Sequence, residues 1–156
     1  MKAIIISVNP PHAGNLVDGF KTIEWRTKPL PECKAYIYET KKNGGSGKVI
    51  GEVVFFTNRK CKTGKIDIYD LKAGMVDYGF IVDYAANHDG VVYANECKGA
   101  VRYDKPKELS EFYLLKRCNS CKVSGYEASA CQYDEKCVVP AKLTRPPQSW
   151  QFVEEL

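Results

Sequence analysis

Residues 3–8, Ala3-Ile4-Ile5-Ile6-Ser7-Val8, form a nearly unbroken β-branched run that stops at Asn9-Pro10-Pro11. An apolar stretch this short suits a strand covered on both faces. It is far too short to cross a bilayer, which takes about 20 apolar residues, and too short for a secretory signal with its cleavage site. The chain is therefore expected to open on a buried strand and to work in the cytoplasm. Its 156 residues, 44% of them hydrophobic, suffice for one core and not for two, so one domain over 1–156 is expected.

The period of the apolar residues then changes. Ala13, Leu16, Val17 and Phe20 fall at helical spacing, which predicts a first helix capped by Asn9, with Pro10 and Pro11 in its opening turn and Gly19 near its end. Thr22-Ile23-Glu24-Trp25-Arg26 alternates instead. On a strand, Ile23 and Trp25 point to the core while Thr22, Glu24 and Arg26 share the opposite face. Strands at about 34–40 and 48–57 flank the flexible Asn43-Gly44-Gly45-Ser46-Gly47 connection. The second is apolar on both faces apart from Glu52, the pattern of a central strand. After a loop at 60–65, residues 71–87 read as a helix bearing Met75, Val76, Phe80, Val82 and Tyr84. Residues 90–103 read as strand, 107–115 as a short helix, and Arg145-Pro146-Pro147 as a rigid turn into a last strand. Many short, mostly antiparallel strands with few helices predict an α+β fold, a small curled or closed β-barrel with flanking helices.

The net charge of +4 is unevenly spread, because residues 1–65 carry twelve Lys/Arg against five Asp/Glu and the remainder is net acidic. Clustered positive charge is what binds phosphate, so the stretches Arg26-Thr27-Lys28, Lys41-Lys42 and Arg59-Lys60-Cys61-Lys62 are candidate contacts to a nucleic-acid backbone. Ordinary solvated lysine is the alternative.

Chemistry concentrates in Gly19-Phe20-Lys21-Thr22-Ile23-Glu24-Trp25-Arg26. Lys21 falls at a helix-to-strand junction, and Glu24 and Arg26 lie two residues apart on one strand face. Such a face can hold a phosphate or the polar edge of a base, with Glu24 accepting from an exocyclic amine; an internal ion pair on a solvated face is the competing reading. At the junction, Lys21 is expected to face a cleft and add little to a core. Its loss should then cost under about 1 kcal/mol, against about 3–5 kcal/mol for Trp25→Ala on the inward face.

Four stretches in order, Asn9-Pro10-Pro11-His12-Ala13, Gly19 to Arg26, Gly47 to Val53 and Pro146 to Trp150, make the chain resemble the ASCH domain family, which shares the PUA-like barrel. They bracket nearly the whole chain. The resemblance implies a cleft between the first helix and the barrel that takes RNA or a modified nucleoside. Members of the family bind RNA, cleave it, or hydrolyse the amide of an acetylated cytidine. In the amidohydrolase branch a lysine and the second threonine of Gly-x-Lys-Thr-x-Thr-x-Arg are catalytic, with a glutamate from a later helix. Lys21 matches the lysine, Glu24 stands in place of that threonine, and the 71–87 segment offers Asp77 and Asp83 but no glutamate.

An unpaired Glu52 among Ile50, Val54 and Phe56 would be costly to bury, so it is expected either to pair with Lys21 or Arg26 across the cleft or to be exposed by a bulge. Lys21, Glu24 and Glu52 are thus the candidate catalytic residues. His12, in the first turn of the first helix, is a candidate phosphate contact beside Lys21, and His88 reads as a turn residue. Three functions follow: an RNA- or nucleotide-binding domain, preferably for single strands; a hydrolase of RNA or a modified nucleoside; or a transcription-associated interaction module without catalysis. No organic cofactor is expected.

Of the seven cysteines, Cys118, Cys121, Cys131 and Cys137 cluster in a segment poor in apolar residues. Four thiolates there predict a closed structural zinc site, a zinc knuckle over 118–137 within a Cys-rich C-terminal insertion, where metal supplies the folding energy that a core would otherwise give. Free thiols, or a redox disulfide or iron–sulfur role, are the alternatives. Elemental analysis of untagged protein is expected to find about one zinc per chain, with chelation loosening only this segment; no metal and four titratable thiols would refute the site.

Overall fold

The computed structural model describes residues 2–117 and 138–156, and therefore leaves Cys118, Cys121, Cys131 and Cys137 outside the described residues. The strands are β1 (Lys2–Val8), β2 (Ile23–Arg26), β3 (Lys34–Glu39), β4 (Val49–Lys62), β5 (Val91–Lys107), β6 (Tyr113–Arg117), β7 (Val138–Lys142) and β8 (Trp150–Glu154). The helices are α1 (His12–Val17), α2 (Ile68–Ala73) and α3 (Tyr78–Ala85). The fold is α+β, with one eight-stranded sheet in the order β2-β5-β4-β3-β1-β8-β6-β7. All pairings are antiparallel except β1 with β3.

The expected closure into a barrel does not occur. β2 at one edge and β7 at the other do not pair, and the start of β2 turns to the end of α2 instead, where the Thr22 amide donates to the Ala73 carbonyl (2.9 Å). The sheet curls without closing: three register shifts along β4 and β5 add the local twist of β-bulges.

β1 explains its own sequence. Ile4, Ile6 and Val8 pack in a cluster with Ala13, Leu16 and Val17 of α1, while Ala3 and Ile5 pack on the other face with Tyr36, Phe112 and Val153. A strand covered on both faces has no polar side, which is why its sequence does not alternate. A third cluster lies under α3, where Ile23 and Trp25 of β2 meet Ile81, Ala85, Val92 and Ala94. Trp25 is 4% exposed, buried as its alternation predicts.

Several elements differ from the sequence expectation. The first helix starts at His12, with Pro11 rather than Asn9 at its N-cap; the Asn9 carboxamide instead accepts from the Thr40 hydroxyl (2.6 Å). The expected helix at 71–87 is two helices, each with its own aspartate cap: Asp67 accepts from the Tyr69 amide and Asp77 from the Phe80 amide. Between them Met75 takes a left-handed φ of 52°. Lys60, Cys61 and Lys62 extend β4 rather than forming a loop, paired with Tyr93, Val92 and Val91. The short helix near 107–115 shrinks to one 3-10 turn, Leu109–Glu111, closed by a Glu108–Glu111 capping box.

α1 can lie on β4 only because residue 51 is glycine. A Cβ there would meet the backbone carbonyl oxygen of Val101 and sit 2.7 Å from Cγ1 of the buried Val17 side chain. Gly51→Ala is expected to lower stability by about 1–3 kcal/mol through overpacking. Gly64→Ala, where a Cβ meets nothing within 4 Å, is expected to change it by less than about 0.5 kcal/mol. Urea unfolding of both variants is the check.

Candidate nucleotide-binding site

The end of β1, the first turn of α1, β2, α3 and the segment before β8 surround a cavity of about 230 Å³. Its lining includes Ser7, His12, Glu24, Arg26, Tyr84 and Gln148. The segment Pro146 to Trp150 reaches it because β1 holds it by two bonds: the Ser7 hydroxyl donates to the Pro147 carbonyl (2.7 Å) and the Ser7 amide to the Ser149 carbonyl (2.9 Å).

Glu24 is the centre of the charge arrangement. It is 6% exposed, and Oε1 accepts from Arg26 Nε at 3.0 Å while Lys21 Nζ lies 3.4 Å from Oε2. Burial opposes its charge, but Arg26 and Lys21, joined by His12 once acid protonates it, outweigh that penalty and hold the carboxyl below its usual range. Glu24 is therefore ionised at neutral pH. A carboxylate offers about four acceptor sites, so capacity remains for a donor arriving in the cavity.

Lys21 lies deeper than its junction position suggests. At 2% exposure it is buried, and Nζ donates to the Gly74 carbonyl at the end of α2. The sequence expectation that it adds little to a core is thus corrected: Lys21 ties β2 to the α2–α3 connection. Gly74 fits closely there, since a Cβ on it would stand 2.6 Å from Trp25 Cδ1. Arg26 bridges in the other direction, with an Nη donating to the Ser7 carbonyl (2.8 Å).

One wall is aromatic. Phe80 and Tyr84, one turn apart on α3, stack at 5.8 Å and 15°, and the His12 ring lies 6.2 Å from Phe80. Burial and then Lys21 push the His12 imidazole below its ordinary value of 6.5, only partly countered by Glu24, so the ring is neutral at pH 7. Its Nδ1 is buried without a hydrogen-bond partner among the described residues.

The architecture matches solved structures of ASCH from Zymomonas mobilis: TM-score 0.67 at 18% identity, over 98% of this chain and 88% of that one. The fold is that of an ASCH domain. Two single-substitution mutants of that protein give the same likeness, one with TM-score 0.67 at 18% identity over 99% of this chain and 92% of that one, the other 0.66 at 17% over 98% and 89%. No family model matches the sequence, and no curated protein does.

Within this ASCH fold the sequence-predicted residues separate. His12, Lys21, Glu24 and Arg26 come together. Glu52 does not join them: it pairs with Lys34 (3.4 Å) and accepts from the Tyr103 hydroxyl, beside the Phe112 cluster. The reason is register, since Glu52 sits opposite Tyr36 on β3. Arg59 is consumed by Asp70, which it grips with two nitrogens at 3.0 and 3.1 Å, and by Glu96 (2.9 Å). Lys28, Lys41, Lys42, Lys60 and Lys62 are exposed and have no ion-pair partner among the described residues. Asp77 is occupied as the α3 cap. Among the described residues no group of three or more His, Cys, Asp or Glu is placed to hold a metal, and no helix is long and apolar enough to cross a membrane.

Sequence reasoning missed Gln148, Ser7 and Asn95 as site residues. Asn95 is wholly buried on β5 and clamps the strand carrying the site, donating to the Glu24 carbonyl (3.0 Å) and accepting from the Leu30 amide (2.8 Å). Phe80 and Tyr84 had a readable signal, because Asp77 as an N-cap sets them on one helical face at i, i+4.

Removing one partner of a buried charge cluster leaves the others uncompensated. Lys21→Met is expected to cost about 3–5 kcal/mol at pH 7 by urea unfolding. Because the folded Glu24 pKa is depressed, the stability tied to its ionisation is present above the unfolded carboxylate range and lost as pH falls through the folded value, so the deficit should narrow in acid. His12 adds an opposite test. Its folded pKa lies below 6.5, so the unfolded chain takes up the proton first and the native protein loses stability as pH drops below about 6.5; His12→Gln is expected to flatten that slope.

Proposed function

We propose that this chain binds RNA or a nucleotide, with a nucleobase entering the cavity between α1, β2 and α3. The observation that carries the reading is Glu24, an ionised carboxylate at the floor of a cavity walled by stacked aromatics. Apolar ring faces take the flat faces of a base, and a buried carboxylate accepts from an exocyclic amine at its edge. The ASCH fold, associated with RNA in the resemblance drawn from the sequence, agrees with that chemistry. Lys28, which lines the adjoining cavity, and Lys41-Lys42, next in sequence to Thr40 of the cavity lining, are exposed cations suited to backbone phosphates.

The binding reading is favoured over the hydrolase reading by the position of Lys21. A lysine acting on substrate needs an accessible amine, and this one is 2% exposed and engaged by the Gly74 carbonyl and Glu24. Lys21 and Arg26 therefore hold Glu24 in place, and the base meets Glu24, His12, Tyr84 and Gln148.

Titration with the four ribonucleoside monophosphates is expected to show cytidine, adenosine and guanosine nucleotides, which carry an exocyclic amine, binding more tightly than uridine nucleotide. Glu24→Gln should erase that preference, and Tyr84→Ala should cost about 1–3 kcal/mol of affinity for every base. For single-stranded RNA, three flanking lysines predict a log–log salt slope of about −2. Uridine nucleotide binding as well as the others, or turnover of bound RNA or acylated cytidine, would overturn the reading.

A further inference from the structure

The nucleobase cavity is small. Its 230 Å³ lies below the range of about 300–1,000 Å³ usual for pockets that enclose a drug-sized molecule. A base fits inside, while its sugar and phosphate must lie at the mouth. What adjoins that mouth then decides what the protein binds.

A second cavity of about 370 Å³ opens on the far side of a shared wall made of Arg26 and Tyr84. It is lined further by Lys28, Leu30, Ser149 and Trp150. The wall is fixed from several directions. Tyr84 stacks on Phe80, and Arg26 is tied to Glu24 and to the Ser7 carbonyl. One guanidinium nitrogen, Nη1, has no hydrogen-bond partner among the described residues, and Lys28 is exposed without an ion pair there. The second cavity thus combines an indole with two cationic side chains, the pairing of stacking surface and phosphate-seeking charge that single-stranded nucleic acid requires. The cavity on the opposite side, which shares His12 and Phe80, offers Leu71, Met75 and Val76 with one cation, Lys72, set against the Asp77 carboxylate, and no indole.

We propose that the protein takes a single-stranded oligonucleotide of at least two residues in preference to a free nucleoside, with the neighbouring base against Trp150 and the linking phosphate on Arg26 and Lys28. The inference rests on the nucleobase reading of the first cavity. Binding across a fixed wall demands that the two bases be splayed apart, which a single strand allows and a duplex does not.

The experiment compares a ribonucleoside monophosphate with the dinucleotide that extends it, by competition against a labelled oligoribonucleotide, for the native protein and for Trp150→Ala and Lys28→Gln. The dinucleotide is expected to bind native protein at least about tenfold more tightly. Each substitution should bring the ratio of the two affinities down towards one. Lys28 is exposed, so Lys28→Gln reports on binding even if Trp150→Ala weakens the fold. A ratio near one in native protein, or a ratio that both substitutions leave intact, would overturn the second subsite while the mononucleotide still reports on the first. Failure of monophosphate and dinucleotide alike to compete would overturn both.

Discussion

The site and the fold around it depend on one buried charge cluster, Lys21, Glu24 and Arg26. Desolvating three charges is expensive, and only close mutual contact makes it tolerable. Here the geometry is good: the carboxylate lies 3.4 Å from the ammonium and 3.0 Å from the guanidinium. Each cation also donates to a backbone carbonyl. Lys21 reaches the Gly74 carbonyl on the α2–α3 connection and Arg26 reaches the Ser7 carbonyl on β1. Three parts of the chain that are distant in sequence are thus fixed relative to one carboxylate, which is what a preorganised recognition pocket needs.

The same arrangement divides the labour between charges. The cluster sums two cations and one carboxylate to a single net positive charge, and at the cavity floor Glu24 presents the acceptor. Lys28, which lines the adjoining cavity, is exposed, as are Lys41 and Lys42 next in sequence to Thr40. Neutral His12 extends the aromatic wall without adding charge to it.

The division of the sequence into a basic and an acidic half largely dissolves on folding. β4 and β5 come from opposite sides of that division and form the longest antiparallel pair in the sheet, so Arg59 meets Glu96 across strands and Asp70 from α2. Lys48 meets Glu108 in the same way (2.7 Å). These pairs are mostly exposed and add little stability. Their consequence is subtraction: fewer cations remain for nucleic acid than the linear count suggests.

The sequence by itself determined what depends on local chemistry. The β-branched run of β1, the inward Trp25, the turn at Gly19 and the spacing of Lys21, Glu24 and Arg26 follow from side-chain size, alternation and the chain's short-range geometry, and all are found in place. Where α3 begins was also written locally, in the Asp77 cap, though a longer apolar pattern masked it. Tertiary structure alone decided the rest. Whether Lys21 faces water or Gly74, and whether Glu52 turns to the cleft or to Lys34, depends on strand register and on an α2–α3 segment some fifty residues away. The sheet stays open, and at the edge strand β2 the preceding Thr22 amide finds its acceptor on Ala73 at the end of α2, a distant partner that no local pattern encodes.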